Sequence, residues 1–207
     1  MSDTLRLNDT VQLRNASLIV GLSGWGNAGE VSTLSVTYLI EKLKASQLGE
    51  IASERFYDYQ LQRPHVSIEG GLIQGYWPPQ NKLFYWQDKE RGLLLLLGAE
   101  PHLNWSDYAR AILEASETVG ARRIYTIGGY IIGIPHTEEP LITGSTNNPE
   151  RIPELRRAGV ELTDYRGPTG VYSEILWQGK ARGLDVVSLW GAVPLYVHSL
   201  NPKVALH

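Results

Sequence analysis

The chain has 207 residues, of which 20% are charged and 43% hydrophobic, and its formal net charge is -3. These values predict a globular protein with a sizeable core, and dispersed Lys and Arg on a slightly acidic chain argue against nucleic acid as a partner. Cysteine is absent, which excludes a disulfide framework, a thiolate metal site and a cysteine nucleophile, and agrees with a reducing cytoplasm.

Strand and helix patterns alternate along the first half of the chain. The apolar run 18–22 predicts a buried strand, and 30–44 predicts a helix with one apolar side. Residues 51–57 predict a second strand. Short extended runs in 65–88, split by glycine and proline pairs, predict an antiparallel meander or hairpin. Five consecutive leucines within 92–98 predict a central strand covered on both faces.

The second half continues this alternation around a loop-rich section. Residues 104–120 predict a helix that Asn104 caps and Gly120 ends. The other predicted elements are a strand at 123–129, a short helix at 153–158, a helix at 171–182 and a last strong strand at 184–190. Strands alternating with helices predict a single α/β domain over residues 1–207, with a mostly parallel sheet that the meander makes mixed.

A glycine-rich segment, residues 24–29, connects the first strand to the first helix. Gly24, Gly26 and Gly29 have the G-x-G-x-x-G spacing of loops whose free backbone N–H groups bind a pyrophosphate. Trp25 is bulky for such a loop, and no acidic residue clearly ends the next strand. A tight turn that permits close packing is therefore the simpler interpretation.

Two groups of titratable residues are candidates for chemistry. Glu100 follows the leucine-rich strand, where α/β sheets bind ligands, and it either joins such a site or accepts hydrogen bonds from a neighbouring turn. His136, with Glu138 and Glu139, has the residue types of an acid/base pair or of half a metal site. Neither group has a complete nucleophile or metal motif around it. We therefore predict no catalytic residue, metal or cofactor.

Aromatic residues concentrate in the predicted meander and just before it, between 56 and 86. One face of a two-stranded element can pack on the core, so something else must cover the other face. Aromatic-rich faces are typical of protein interfaces, although the long first helix is an alternative cover within the same chain. We favour an interface with another subunit or partner.

Several motifs follow one another in a fixed order. They are GWGNAG, ERFYD with RPHV, LLLLLGAEP with a tryptophan four residues on, Gly128-Gly129, His136-Thr137, Gly167-Pro168-Thr169-Gly170, and Leu189-Trp190 with Val193-Pro194. This order resembles the proteasome assembly chaperone family of the second type, over about residues 15–204. Many bacterial and archaeal members of that family have no established activity.

The resemblance implies a three-layer α/β/α domain with a mixed, mostly parallel sheet, similar to nucleoside phosphorylases. It also implies self-association and, for some members, assistance to proteasome ring assembly without ATP. We therefore predict a noncatalytic, cytoplasmic homo-oligomer with proteasome-like subunits as partners and without nucleic acid or membrane; a small-ligand or nucleoside-processing enzyme is the alternative. The candidate binding residues are Gly24, Trp25, Gly26, Asn27, Gly29, Glu100, His136, Gly167, Pro168 and Gly170.

The end of the chain departs from the family pattern. Members that dock on proteasome rings end in a hydrophobic residue, a tyrosine and one further residue, whereas residues 204–207 read Val-Ala-Leu-His. Docking by such a tail is therefore not expected for this sequence. Asn201 and Pro202 predict the start of a very short helix, which either docks as a stub or is cut short.

Overall fold

A nine-stranded mixed sheet runs through the molecule, as a computed structural model describes it for residues 4–197 and 199–207. The strands are β1 Leu5–Leu7, β2 Ser17–Ser23, β3 Ser46–Ile51, β4 His65–Glu69, β5 Leu72–Trp77, β6 Asn81–Gln87, β7 Gly92–Ala99, β8 Arg123–Ile132, β9 Ile142–Thr146, β10 Glu161–Leu162 and β11 Asp185–Pro194. The helices are α1 Val31–Leu43, α2 Trp105–Thr118, α3 Ile152–Arg157, α4 Val171–Ala181 and α5 Pro202–Leu206. Short 3-10 turns precede α1 and α3.

The strand order in the main sheet is β1-β3-β6-β7-β2-β8-β11-β9-β10, and β4 pairs only with β5. The central strands β7, β2, β8 and β11 are parallel to one another. Their carboxyl ends therefore meet along one side of the sheet, which we call the carboxyl edge: the residues that follow Ser23, Ala99, Ile132 and Pro194. This edge positions most of the candidate residues.

Helices cover both faces of the central strands. Leu18, Val20 and Leu22 belong to the same buried cluster as the apolar residues of α2 and α4. Gly21 points to the opposite face, because successive strand residues alternate. There α1 lies so close that a Cβ on Gly21 would come within 2.6 Å of the Ser32 carbonyl oxygen. The predicted α/β/α layering is confirmed, while the likeness to nucleoside phosphorylases stays a prediction.

The five-leucine strand is the centre of the core, as predicted. Leu94, Leu95 and Leu96 are fully buried, on both faces of β7. Full burial of a leucine side chain stabilises a fold by roughly 1.5–3 kcal/mol. This strand therefore contributes buried leucines to both faces of the sheet.

The predicted strand at 51–57 is wrong. β3 ends at Ile51, and the chain then leaves the sheet. Phe56 and Tyr57 lie in the loop that follows β3, and their side chains are buried. The Phe56 ring packs edge-on against Tyr108 of α2, with 5.0 Å between the ring centroids. Aromatic residues in a loop can satisfy the same apolar pattern as a strand when a helix covers them.

Two further expectations need correction. Asn104 makes no capping bond to α2; it has a left-handed φ of 56° and its side-chain amide donates to the Arg55 carbonyl oxygen at 2.6 Å. The section predicted to be rich in loops, residues 130–149, also contains strand residues, since β8 extends to Ile132 and β9 lies within it. Gly120 does end α2 as predicted, with a positive φ of 81°.

The C-terminal helix α5 docks on the fold. Asn201 begins it, because its side-chain oxygen accepts a hydrogen bond from the Val204 N–H at 3.2 Å. Val204 is buried against Val31 and Val193. The short helix therefore docks on the fold. Within residues 4–197 and 199–207, no helix has the length and apolarity needed to span a bilayer.

Candidate functional site

Glu100 joins two loops of the carboxyl edge. The register of β2 and β7 places Ser23 beside Ala99, so the glycine loop and Glu100 leave the sheet as neighbours. One carboxylate oxygen of Glu100 accepts the Trp25 N–H at 3.1 Å, and the other accepts the Val171 N–H at 3.0 Å. We call this arrangement of Glu100, Trp25 and Val171 the Glu100 latch. It ties the glycine loop to the start of α4.

Two glycines leave the space that the latch needs. Gly24 has a φ of 126°, which side chains rarely adopt, and a Cβ there would lie 2.8 Å from the Glu100 Cβ. A Cβ on Gly170 would lie 2.6 Å from the Glu100 carboxylate. Val171 is the first residue of α4, so its N–H has no partner within the helix. The carboxylate supplies that partner.

The space behind the latch is small. The cavity between Leu22, Tyr172, Trp190 and Glu100 measures about 10 Å³, room for about one water molecule. Pockets that bind drug-sized ligands measure about 300–1,000 Å³. Two backbone N–H groups that a phosphate would use are already bound to the chain's own carboxylate.

The remaining residues of the glycine loop fix the start of α1. The Asn27 side chain accepts the Thr33 N–H at 3.2 Å and donates to the Thr33 hydroxyl at 3.0 Å. The Gly26 carbonyl accepts the Gly129 N–H at 2.7 Å, which joins the loop to β8. The Gly29 carbonyl accepts the Asn201 N–H at 2.8 Å, which joins it to the segment before α5.

His136 lies in the loop after β8 and has other partners. Its backbone N–H donates to the Tyr196 hydroxyl at 2.6 Å, and its Nδ1 is 2.9 Å from the same oxygen. Lys203 donates to the carbonyls of His136 and Glu138 at 3.3 Å and 2.6 Å. In the part of the chain that the structure describes, no hydrogen bond links His136 to Glu100, and no cluster of three or more His, Asp or Glu could hold a metal ion.

Gly167 and Pro168 shape the turn that enters α4. The Pro168 carbonyl accepts the Tyr165 hydroxyl at 2.7 Å. A Cβ on Gly167 would lie 2.6 Å from that hydroxyl, so the ring closes over the glycine. The turn presents Tyr165, an exposed aromatic side chain, beside the candidate residues.

The sequence analysis missed the aromatic support behind the latch. Trp190 and Tyr172 contact each other edge-on, with ring centroids 5.9 Å apart. The Tyr172 hydroxyl receives the Leu22 N–H and contacts the Ser32 hydroxyl, each at 3.0 Å. Burial raises the pKa of Tyr172, so the hydroxyl stays protonated and structural. The sequence signal that could have revealed this support is the Gly128-Gly129 pair, because a glycine leaves room for the Trp190 ring on the neighbouring strand.

The predicted hairpin is present as β4 and β5, and it stands apart from the main sheet. We call His65–Trp77 the arm. The chain leaves the sheet after Ile51 and rejoins it at Asn81, its Cα partner. This point lies at the carboxyl edge, because β3 and β7 are both antiparallel to β6 and therefore end on the same side of the sheet. The large apolar side chains of the arm are 48% to 68% exposed. They are Val66, Ile68, Leu72, Ile73, Tyr76 and Trp77. Among the described residues, α1 therefore does not cover them.

Comparison with known proteins identifies the class to which this fold and edge belong. The sequence pattern of the PAC2 family matches residues 21–207, so the chain belongs to that family, as the motif order predicted. A curated relative is the uncharacterized protein MJ1210 of Methanocaldococcus jannaschii, 26% identical over an alignment of 206 residues that covers 98% of this chain and 74% of that protein.

Two solved structures are similar throughout. One is a proteasome-assembly chaperone homologue, Rv2125 of Mycobacterium tuberculosis, with 26% identity, 92% of this chain and 80% of that chain covered, and a TM-score of 0.84. The other is a PAC2 family protein of Streptomyces avermitilis, with 28% identity, 92% and 81% coverage and a TM-score of 0.81.

Proposed function

We propose that this chain is a noncatalytic protein-interaction module, which self-associates through the arm and assists the assembly of proteasome-type subunits without ATP. Membership of the PAC2 family and the similarity to a proteasome-assembly chaperone homologue support the choice of partner. The observation that carries the proposal is the arm, an apolar hairpin that nothing in the described chain covers.

The size of the apolar surface on the arm supports a stable contact. Its six large apolar side chains, each roughly half to two thirds exposed, offer on the order of 600 Å² over both faces of the hairpin. Four of them share one face and offer on the order of 400 Å² there: Val66, Ile68, Ile73 and Tyr76. Monomeric proteins rarely expose apolar patches beyond a few hundred Å². A standard interface buries about 800 Å² on each partner. A reciprocal contact between these faces of two arms would therefore supply about half of a dimer interface, which is why we name a second copy of this chain as the occupant.

The carboxyl edge continues this surface towards β11. It carries several exposed apolar side chains outside the arm. One of them is Trp25, in the glycine loop, which is 67% exposed. The others include Leu103, Ile131, Leu195 and Tyr196. We propose this edge as the contact for the subunits that the oligomer assists.

Sedimentation velocity tests the self-association. Leu72 and Ile73 are each 68% exposed, so the double variant Leu72→Ser/Ile73→Ser should keep its thermal midpoint while shifting the oligomer to monomer. Trp177→Ser is the matched control, because Trp177 is 76% exposed but lies on α4, away from the arm. A wild-type chain that sediments only as monomer across micromolar concentrations overturns the proposal.

The proposed partner has its own test. Wild-type protein mixed with unassembled proteasome ring subunits from the same organism should co-sediment and raise the yield of assembled rings with no nucleotide present. Trp25→Ala should reduce that yield, and Trp177→Ser should not. Equal yields with and without the wild-type chain overturn this part.

An enzyme acting on a small ligand or nucleoside was the alternative. The geometry offers it no specific support, because the cavity at the Glu100 latch is about 10 Å³ and the nearby N–H groups are bound within the chain. We therefore propose no second function.

A further inference from the structure

A carboxylate of this chain occupies the place where a glycine-rich loop would hold an external anion. The Trp25 N–H lies in the glycine loop and the Val171 N–H begins α4, an 11-residue helix. Such N–H groups attract negative charge, because backbone dipoles point their positive ends at it. Here the anion is Glu100, and it comes from the end of a third element, β7.

We propose that Glu100 is a positioning residue: its carboxylate is the internal anion of the glycine loop and α4, and it fixes Trp25 as an outward contact on the carboxyl edge. The second half of this statement rests on the proposed function. The first half concerns the chain alone.

Within residues 4–197 and 199–207, the carboxylate of Glu100 has no cationic partner. None of the ion pairs among the described residues involves Glu100. Its two oxygens instead receive the two backbone N–H groups. Hydrogen bonds to a charged acceptor are about twice as strong as neutral ones. The latch therefore holds both loops through the two oxygens of one carboxylate.

Trp25 is fixed through its backbone while its side chain remains free. The indole is 67% exposed although the N–H of the same residue is bound to Glu100. Its Cε3 lies 3.7 Å from where a Cβ would stand on Gly170, so the ring rests beside the α4 turn. A large aromatic side chain on a fixed backbone loses little entropy when a partner covers it. That is the geometry of an interface anchor.

Amide hydrogen exchange tests the latch without any partner. In Glu100→Ala, the amides of Trp25 and Val171 should both exchange about tenfold faster or more, because both lose a charged acceptor. Glu100→Gln keeps one acceptor oxygen, so one of the two amides should stay slow. Glu139→Ala and Glu139→Gln, in the loop after β8, are the matched controls and should change neither amide. Unchanged exchange at both amides in Glu100→Ala overturns the proposal.

Chemical rescue tests whether the site is built for an anion. Glu100→Ala leaves the two N–H groups facing a carboxylate-sized space, so sodium formate should raise its thermal midpoint above that in sodium chloride of equal concentration, by about 2–4 °C. Wild type and Glu139→Ala should not distinguish the two salts. If formate and chloride act equally on Glu100→Ala, no anion site exists there. Should Glu100→Ala fail to fold, the one-sided exchange predicted for Glu100→Gln decides the question.

The role of Trp25 as a contact is separated from the latch by one comparison. Trp25→Ala should keep slow exchange at Val171 and lose assistance to ring assembly, whereas Glu100→Ala should lose both. A Glu100→Ala protein with fast exchange and full assistance overturns the positioning of Trp25. A wild-type chain that assists nothing overturns the proposed function, while the exchange result at Trp25 and Val171 still stands for the latch.

Discussion

The indole of Trp190 lies flat against Gly128, its Cα partner on the neighbouring strand. A Cβ built on Gly128 would stand 2.5 Å from the indole Cε3. The indole N–H donates to the Ser188 hydroxyl at 2.9 Å, which holds the ring in this orientation. Trp190 also lines the cavity behind the Glu100 latch, so this pair positions one wall of that cavity.

Gly128→Ala should destabilise the protein. The added methyl group overlaps the Trp190 ring, and overpacking of this kind costs about 1–3 kcal/mol of unfolding free energy. Urea unfolding measures the loss. Gly133→Ala is the matched control, since nothing lies within 4 Å of a Cβ there, and it should change stability by about 0.5 kcal/mol or less. Equal stability of the two variants would contradict the described packing.

Asn81→Ala should be more costly than an ordinary polar truncation. The buried Asn81 side-chain oxygen accepts the hydroxyls of Tyr57 at 2.6 Å and Tyr108 at 2.9 Å, and the Ala99 N–H at 3.2 Å. Removing this shared acceptor leaves a cavity and a buried N–H without a partner, so we expect a loss of about 2–4 kcal/mol. Asn8→Ala, at an exposed position, should lie within about 0.5 kcal/mol of wild type. The two variants are compared by urea unfolding.

Alkaline pH should destabilise the fold through its buried tyrosines. Burial raises the pKa of Tyr57 to about 12, and burial also raises the pKa values of Tyr108 and Tyr172. The folded state then keeps protons that the unfolded state releases from about pH 10. The stability from these groups is fully present below about pH 10 and is lost as pH rises towards the folded-state pKa.

Tyr57→Phe provides the measurement of this pH effect. At pH 8 the variant should be less stable than wild type by about 1 kcal/mol, because a hydroxyl bond is lost. That difference should narrow between about pH 10 and 12, since only wild type has the Tyr57 proton to lose. Urea unfolding at a series of pH values reports it. A constant difference over the whole range would contradict the raised pKa.

One face of the arm should contribute most to self-association. Val66 and Tyr76 are Cα partners, as are Ile68 and Ile73, and Val66 and Ile68 alternate onto the same face of β4. The register shift within the hairpin keeps all four side chains on that face. All four are exposed, so we expect Val66→Ser/Tyr76→Ser and Ile68→Ser/Ile73→Ser each to weaken association about tenfold or more. Sedimentation equilibrium measures both constants. Association constants unchanged in both variants would contradict a contact through this face.

Much of the fold follows from local pattern. The predicted helix at 171–182 is α4, Val171–Ala181, and the leucine run is β7. The missed strands β1, β9 and β10 are short, with two to five residues each. Such strands lack a long apolar run, and their pairing depends on neighbours that are distant in sequence. Residues 52–57 misled for the opposite reason, since an apolar segment beyond the end of β3 was buried by α2 without any strand pairing.

The contacts within the candidate site were harder to predict from the sequence than the fold. The sequence left two roles open for Glu100: part of a ligand site, or acceptor of hydrogen bonds from a neighbouring turn. The observed bonds come from the glycine loop and from the start of α4, and a ligand role stays a prediction. The acceptance of the Val171 N–H could not be read locally, because 71 residues separate it from Glu100. The packing of α4 against α2 and β11 brings the two together. His136 illustrates the limit, since it shares the edge but bonds to Tyr196.

The direct pairing of Ile51 with Asn81 means that the arm can change in evolution without altering the sheet. A chain that leaves a sheet and re-enters it at the adjacent position keeps the same strand pairing whatever the length of the segment between. Related proteins could therefore lengthen, shorten or resurface the arm, and so acquire new binding partners, while the central sheet stays unchanged.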